Sequence, residues 1–209
     1  MMTKEQRIER SKPGHLKIIL SVMLSMVHAI PFHIHKRAQT ISSQQLIEKL
    51  HLTPNPEGGY FVEFYRDKSV IKKVGLPDNF DGDRSFSTAI YYLLKGKEFS
   101  SFHRLRSDEG WHYYTGNTGV KIYEIRPDGE LVVHNLGNDL VNGEIFAVVI
   151  EKGSWYGAEL SDQSNDNFSL VGCTVAPGFE NADFEMAKLE SLSKQFPQHA
   201  EIIKKLTRE

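Results

Sequence analysis

The stretch from Phe99 to Gly116 reads FSSFHRLRSDEGWHYYTG and is the most informative part of the chain. On both sides of a polar segment, Arg106-Ser107-Asp108, the residues alternate in the way of β-strands, which predicts two strands joined by a tight turn. His103 lies on the first strand and Glu109 at the head of the second. We therefore expect the imidazole and the carboxyl group to point into one shared interior.

A histidine beside a carboxylate suits metal ligation, proton transfer or hydrogen bonding to a polar ligand. We take His103 as a candidate general base and Glu109 as the catalytic group that orients it. The alternative is a structural pair, in which His103 hydrogen-bonds Glu109 and offsets the cost of burying a carboxylate.

Period-two alternation predicts which side chains accompany this pair. Phe99 and Ser101 share the face of the histidine, and Trp111 and Tyr113 share the face of the glutamate. Aromatic side chains mostly pack in cores, but several beside a polar pair also suit a flat ring such as a sugar or a nucleobase. The candidate ligand-binding residues are Ser101, Trp111, Tyr113, Tyr123, Trp155 and Tyr156.

The composition is that of a globular protein. Of 209 residues, 40% are hydrophobic and 25% are charged, which fits one domain with an extension. Lys and Arg number 25 against 27 acidic residues, so no basic excess indicates a nucleic-acid partner. The single cysteine, Cys173, excludes an intrachain disulfide and is predicted to be a small core residue in an apolar strand.

Residues 1–41 form an N-terminal extension to a domain predicted over residues 42–209. A basic lead precedes an apolar run, Ile18 to Ile30, that is shorter than the about 20 residues of a membrane span. We expect a cytoplasmic protein without a membrane partner. The alternatives are export, if residues 1–29 act as a signal peptide, a natural start at Met23 or Met26, and a helix that packs on a partner subunit.

The remainder reads as an all-β domain flanked by short helices. Ser42 and Gln45 predict a capped helix of about three turns. Many short strands separated by turns follow, which indicates a sandwich or barrel. Glu57-Gly58-Gly59 reads as a turn that could bring a backbone close to a cavity mouth. Near the end, Asp183 is predicted to cap a helix over residues 184–193, and Pro197 to open a final helix.

Several motifs together resemble the cupin family. His103, Glu109 and Gly116 fit the first cupin motif, with Leu105 in place of its second histidine. Tyr156 stands where the second motif has its histidine. The runs at residues 55–60, 107–112, 153–155 and 171–179 are similar to an uncharacterised subfamily, a cupin-like domain of unknown function with an RmlC-like jelly roll, and the resemblance covers about residues 42–206.

The resemblance implies an all-β, RmlC-like jelly-roll (cupin) barrel, commonly dimeric, with a ligand cavity between its two sheets. Metal-dependent cupins bind through three histidines and one glutamate, which correspond here to His103, Leu105, Glu109 and Tyr156. Leucine cannot ligate and neutral tyrosine is a poor ligand, so two of the four ligand positions are missing. We expect no cofactor, with a divalent metal as the alternative.

The resemblance brings no established reaction. Epimerases of deoxysugar synthesis share the fold, so one expectation is a metal-independent, epimerase-like enzyme acting on a sugar, a sugar nucleotide or a similar polar ring, with His103 as base. A non-catalytic module that binds or senses a small ligand is the alternative, and a metal-dependent oxygenase or isomerase is a third. The expected partners are a small molecule and a second copy of the chain.

Overall fold

Two antiparallel β-sheets enclose the core of the computed structural model, which describes residues 41–208. The strands are β1 (Thr53–Pro54), β2 (Tyr60–Arg66), β3 (Val70–Ile71), β4 (Arg84–Ser85), β5 (Thr88–Lys95), β6 (Phe99–Leu105), β7 (Asp108–Gly116), β8 (Val120–Ile125), β9 (Leu131–Leu136), β10 (Ala147–Ile150), β11 (Trp155–Leu160), β12 (Phe168–Ala176) and β13 (Phe184–Met186). One sheet has the order β1-β2-β5-β12-β7-β10 and the other β13-β6-β11-β8-β9, while β3 and β4 form a separate pair. This arrangement is the predicted all-β jelly roll.

Within residues 41–208, three short α-helices flank the sheets: α1 (Ser43–Leu50), α2 (Leu189–Gln195) and α3 (Ala200–Lys205). The predicted cap of α1 is confirmed, because the Gln45 amide donates to Ser42 Oγ over 3.2 Å and the Ser42 amide donates to Gln45 Oε1 over 2.9 Å. The helix is shorter than expected, since His51 takes a left-handed backbone conformation with φ of 56° and ends it.

Apolar side chains from both sheets form the core between them. Trp111 and Val171 come from the six-stranded sheet, and Ile122 and Leu160 from the five-stranded sheet. A second cluster joins the outer face of the five-stranded sheet to α2 and α3, with Phe102, Trp155, Leu192 and Ile203 among its members. The C-terminal helices therefore cover one sheet, as an apolar sheet face requires.

The C-terminal prediction is wrong at Asp183. This residue caps no α-helix; its buried carboxylate accepts hydrogen bonds from the Arg84 guanidinium at 2.5 and 2.6 Å. The following residues form β13 on the edge of the five-stranded sheet, where Phe184 is paired with Leu105. The carboxylate thus neutralises a buried cation, which a local helix signal cannot reveal. The predicted final helix is present as α3, after a turn that begins at Pro197.

The polar turn after Leu105 does not form a hairpin. It carries the chain from β6 in the five-stranded sheet to β7 in the six-stranded sheet. His103 and Glu109 therefore face each other across the space between the sheets, instead of lying on paired neighbours.

The predictions for the first forty residues concern a part of the chain outside the described residues. Among the helices of residues 41–208, none has the length and apolar character to cross a membrane.

Candidate ligand-binding site

A cavity of about 270 Å³ lies between the two sheets. Its apolar walls come mainly from aromatic and branched side chains, and its buried polar groups include an imidazole, two carboxyl groups, a hydroxyl and a thiol. The apolar lining residues are Phe61, Ile90, Leu105, Val175, Phe179 and Phe184, and the polar ones include Glu57, Glu63, Arg66, His103, Glu109 and Cys173. Cys173 is buried, as the sequence predicted, and its thiol is free.

His103 is only 2% exposed and presents one ring nitrogen to the cavity. Its Nδ1 lies 2.7 Å from the carbonyl oxygen of Ser101. A carbonyl can only accept, so Nδ1 carries the proton and Nε2 of the neutral ring is an acceptor. Nε2 lies 3.5 Å from Glu57 Oε2. Burial lowers the pKa of His103 below its ordinary 6.5 and so favours this neutral form.

Glu109 is held by two donors from the core. Its Oε2 accepts from Trp111 Nε1 and from the Tyr156 hydroxyl, each over 2.7 Å. Burial raises the pKa of Glu109, and the nearby His103 opposes that rise. The Ser101 carbonyl, not Glu109, orients the His103 ring. The expected hydrogen bond between His103 and Glu109 is therefore not the contact that fixes the ring.

Glu57 completes the polar end of the cavity, and the sequence analysis missed its carboxyl group. The turn that carries it is closed by hydrogen bonds between Asn55 and Gly59 and between Gly58 and Asn55. Gly58 and Gly59 have φ of 114° and 69°, a conformation that favours glycine. Burial raises the pKa of Glu57 to about 7. The double glycine indicated the turn but not the direction of the preceding side chain.

Arg208, near the C-terminus, holds this turn against β6. Its guanidinium donates to the Glu57 carbonyl oxygen, to Ser101 Oγ and, over 2.9 Å, to the Phe99 carbonyl oxygen. It also lies 4.1 Å above the Phe99 ring. The Tyr92 hydroxyl adds a 2.8 Å bond to the Gly58 carbonyl oxygen. No sequence signal marks Arg208, because its role depends on the folded position of the chain end.

Three predicted ligand-binding residues contact the polar groups of the cavity without lining it. The Tyr156 ring lies 4.2 Å from the His103 ring, and its hydroxyl bonds Glu109. Trp111 bonds the same carboxylate from the core. Ser101 supplies its carbonyl to His103, while its hydroxyl accepts from Arg208. These residues position the site.

The other three lie away from the cavity. Tyr123 and Trp155 belong to the cluster on the outer face of the five-stranded sheet. Side chains alternate between the two faces of a strand, and the residues next to them in sequence, Ile122 and Tyr156, occupy the inner face. The Arg104 guanidinium covers Trp155 at 4.6 Å, and the Tyr123 hydroxyl donates to Glu159 over 2.9 Å. Tyr113 packs against the inner core without lining the cavity.

The simple alternation also fails along β6. A register shift between β6 and β11 turns Phe99 into the outer cluster and brings the Ser100 hydroxyl within 3.4 Å of Glu57 Oε1. A bulge breaks the period-two pattern, so Phe99 does not share the face of His103.

The four positions that hold metal in metal-dependent cupins do not suit a metal here. Leu105 lines the cavity with an apolar side chain, and the Tyr156 hydroxyl is engaged by Glu109. Within residues 41–208, no three His, Cys, Asp or Glu side chains are grouped as metal ligands. Since transition-metal sites usually need at least three protein ligands, these four positions fall short of such a site.

Comparison with known proteins agrees with this fold. Residues 44–187 match the family model of the cupin superfamily described as DUF985. A protein of known structure from Shewanella oneidensis is 37% identical, over 80% of this chain and 98% of its own, with a TM-score of 0.70. A protein from Leishmania major is 29% identical, over 81% of this chain and 100% of its own, with a TM-score of 0.72. No curated protein matches the chain. The chain therefore belongs to the cupin superfamily, in the family DUF985 of unknown function.

Proposed function

We propose that this protein binds a small polar ring, a sugar or a similar molecule, in the cavity between its sheets and that His103 acts on it as a base. The proposal depends on the His103 ring, whose Nδ1 is hydrogen-bonded to a carbonyl oxygen 2.7 Å away while Nε2 faces a largely apolar cavity. Concave apolar pockets with a few convergent polar groups are the usual form of a small-molecule site.

The same geometry supports proton transfer. A C–H or O–H bond of the ligand would break, its electron pair would stay on the ligand, and the proton would bond to Nε2 of His103. The resulting imidazolium would face Glu57 and Glu109. Glu57 Oε2, 3.5 Å away, can stabilise that charge or accept the proton in turn. An enzyme whose base returns the proton to a different position of the ligand is an isomerase. One whose base returns it to the opposite face is an epimerase.

The cavity volume limits the size of the ligand. About 270 Å³ lies just below the roughly 300–1,000 Å³ of typical small-molecule sites. A single ring suits this space better than a sugar nucleotide, whose second ring and phosphates need more room.

Native mass spectrometry of the purified protein, followed by assay of any ligand that it reveals, tests the proposal. We expect His103→Gln to abolish turnover with little change in melting temperature. His112→Gln is the matched control, because the His112 ring bonds Thr174 and does not line the cavity. Loss of turnover that only parallels loss of stability would contradict a catalytic His103. Binding without turnover in the wild type would favour the sensing alternative.

A homodimer is part of the proposal. β10 is the edge strand of the six-stranded sheet, and Phe146 and Val149 expose about half of their surface there. An apolar edge strand left in water invites pairing with another chain. Analytical ultracentrifugation should find a dimer that Val149→Lys dissociates and that the exposed control Val74→Lys leaves intact. An unchanged mass for Val149→Lys would contradict this interface.

We also propose a cytoplasmic location, because the basic lead of residues 1–17 contains Glu5 and Glu9 and the apolar run that follows contains His28, which is unlike a typical signal peptide. Mass spectrometry of the natural N-terminus tests it, since a mature start near Ile30 in a periplasmic fraction would show export.

A further inference from the structure

The buried end of the cavity contains two carboxyl groups and no cation. Glu109 is 8% exposed and the Glu57 side chain 12%, and His103 between them favours its neutral form. Arg66 is the one Arg or Lys among the described residues that line the cavity. Its guanidinium is already bound to Glu63 at 2.8 and 2.9 Å and to Glu180 at 2.7 Å.

Three polar atoms at this end, on Glu109, His103 and Glu57, have a free acceptor position when the two carboxyl groups are ionised. Glu109 uses Oε2 for its two donors, and its Oε1 has no donor among the described residues. His103 presents the bare Nε2, because its proton is on Nδ1. Glu57 Oε2 has only the 3.5 Å contact with that nitrogen, and Arg208 reaches the Glu57 backbone instead of its carboxylate.

An ammonium group complements these three atoms. It has three N–H donors, no acceptor and one positive charge, whereas a hydroxyl has one donor and a carboxylate has none. Burying carboxylates without a partner costs several kcal/mol, and a bound cation removes most of that cost. An anion would find no Lys or Arg of residues 41–208 at this end of the cavity, and each carboxyl group would repel it once ionised.

The aromatic walls favour the same charge. Phe184 stacks near His103 with ring centres 5.4 Å apart, and Phe179 lies 6.2 Å from Phe184. Both rings line the cavity. Aromatic faces attract cations, and the surrounding apolar side chains suit the body of a ring.

We propose that the natural ligand is a small ring that carries an ammonium group, bound between Glu57, Glu109 and Nε2 of His103. This inference rests on the proposed function, since it concerns the ligand of the same cavity.

Two series of ring compounds with matched size test it. Cyclohexylamine, cyclohexanol and cyclohexanecarboxylate form the first, and glucosamine, glucose and glucuronate the second. Binding to the full-length protein is measured at pH 7 by titration calorimetry and by thermal shift. The variants are Glu57→Gln and Glu109→Gln, with Glu201→Gln, an exposed residue of α3, as the control.

We expect the amine of at least one series to bind about tenfold or more tightly than its alcohol, and the acid not to bind. Each cavity variant should weaken the amine about tenfold or more, and the control should not. Tighter binding of an alcohol or an acid would overturn the charge assignment while leaving the cavity as a small-molecule site. Failure of all six compounds to bind at about 10 mM would overturn both the assignment and the proposed function. An equal loss of amine affinity in the control variant would show a nonspecific effect of charge and would contradict the assignment.

Discussion

Replacing Glu57 by glutamine should stabilise the protein at neutral pH and leave its stability in acid nearly unchanged. Burial raises the pKa of Glu57 from 4.5 to about 7. Well below pH 4.5 the carboxyl group is protonated in the folded and the unfolded states alike, so it has no effect on the folding equilibrium. As the pH rises toward 7, the unfolded state loses its proton first, and the free energy of unfolding falls.

The size of this effect follows from the two pKa values. A rise from 4.5 to about 7 corresponds to about 3 kcal/mol of stability lost by pH 8. Glutamine imitates the protonated form at every pH, so Glu57→Gln should avoid that loss. The difference in unfolding free energy between the variant and the wild type should grow by about 2–3 kcal/mol between pH 4.5 and pH 8.

Urea unfolding at the two pH values measures this difference, with Glu201→Gln as the exposed control, whose difference from the wild type should not change with pH. A variant whose advantage stays constant with pH, or that becomes less stable than the wild type at pH 8, would refute the reasoning. Such a result would mean that the Glu57 carboxyl group is solvated or paired in the folded protein.

Three further predictions concern contacts around the site. Tyr156→Phe removes a 2.7 Å hydrogen bond to buried Glu109 and should lower the free energy of unfolding, measured with urea, by about 1.5–3 kcal/mol. The control Tyr113→Phe, whose hydroxyl has only a 3.5 Å contact, should lower it by under about 0.5 kcal/mol. Equal losses would contradict the geometry. Asp183→Asn leaves the buried Arg84 guanidinium with the exposed Asp81 as its remaining counter-ion and should lower the free energy of unfolding by up to about 3–5 kcal/mol. A near-neutral effect in the same assay would contradict a buried Arg84–Asp183 ion pair. Cys173 is the single thiol and lines the cavity, so a bound ligand should slow its reaction with a small thiosulfonate reagent, and an unchanged rate would locate the ligand elsewhere.

Local signals in the sequence indicated a β-sandwich or barrel and half of the polar site, whereas the jelly roll followed from the resemblance to cupins. The Ser42–Gln45 capping box involves residues three apart, so helix α1 could be predicted without knowledge of the rest of the chain. His103 and Glu109 are separated by one turn, and both line the cavity as predicted. The direction of their side chains was predictable even though their strands lie in different sheets.

The remainder of the site depends on contacts that only the folded chain makes. Glu57 reaches the cavity because Arg208 and Tyr92, both distant in sequence, hold its turn. Tyr123 and Trp155 looked equivalent to Tyr156 by residue type, but the alternation of their strands, and the helices that cover the outer face, send them into another cluster. When both faces of a sheet are buried, residue type alone does not tell which face a side chain occupies.

The protonation state of the His103 ring is the most direct test of the proposal that His103 is a base open to the cavity. Long-range proton–nitrogen NMR of histidine-labelled protein, with His103→Gln to assign the signal, reports which ring nitrogen carries the proton. We predict a neutral ring at pH 7 with the proton on Nδ1, bonded to the Ser101 carbonyl, and a bare Nε2. A proton on Nε2, or an imidazolium at that pH, would contradict a base that is open to the cavity.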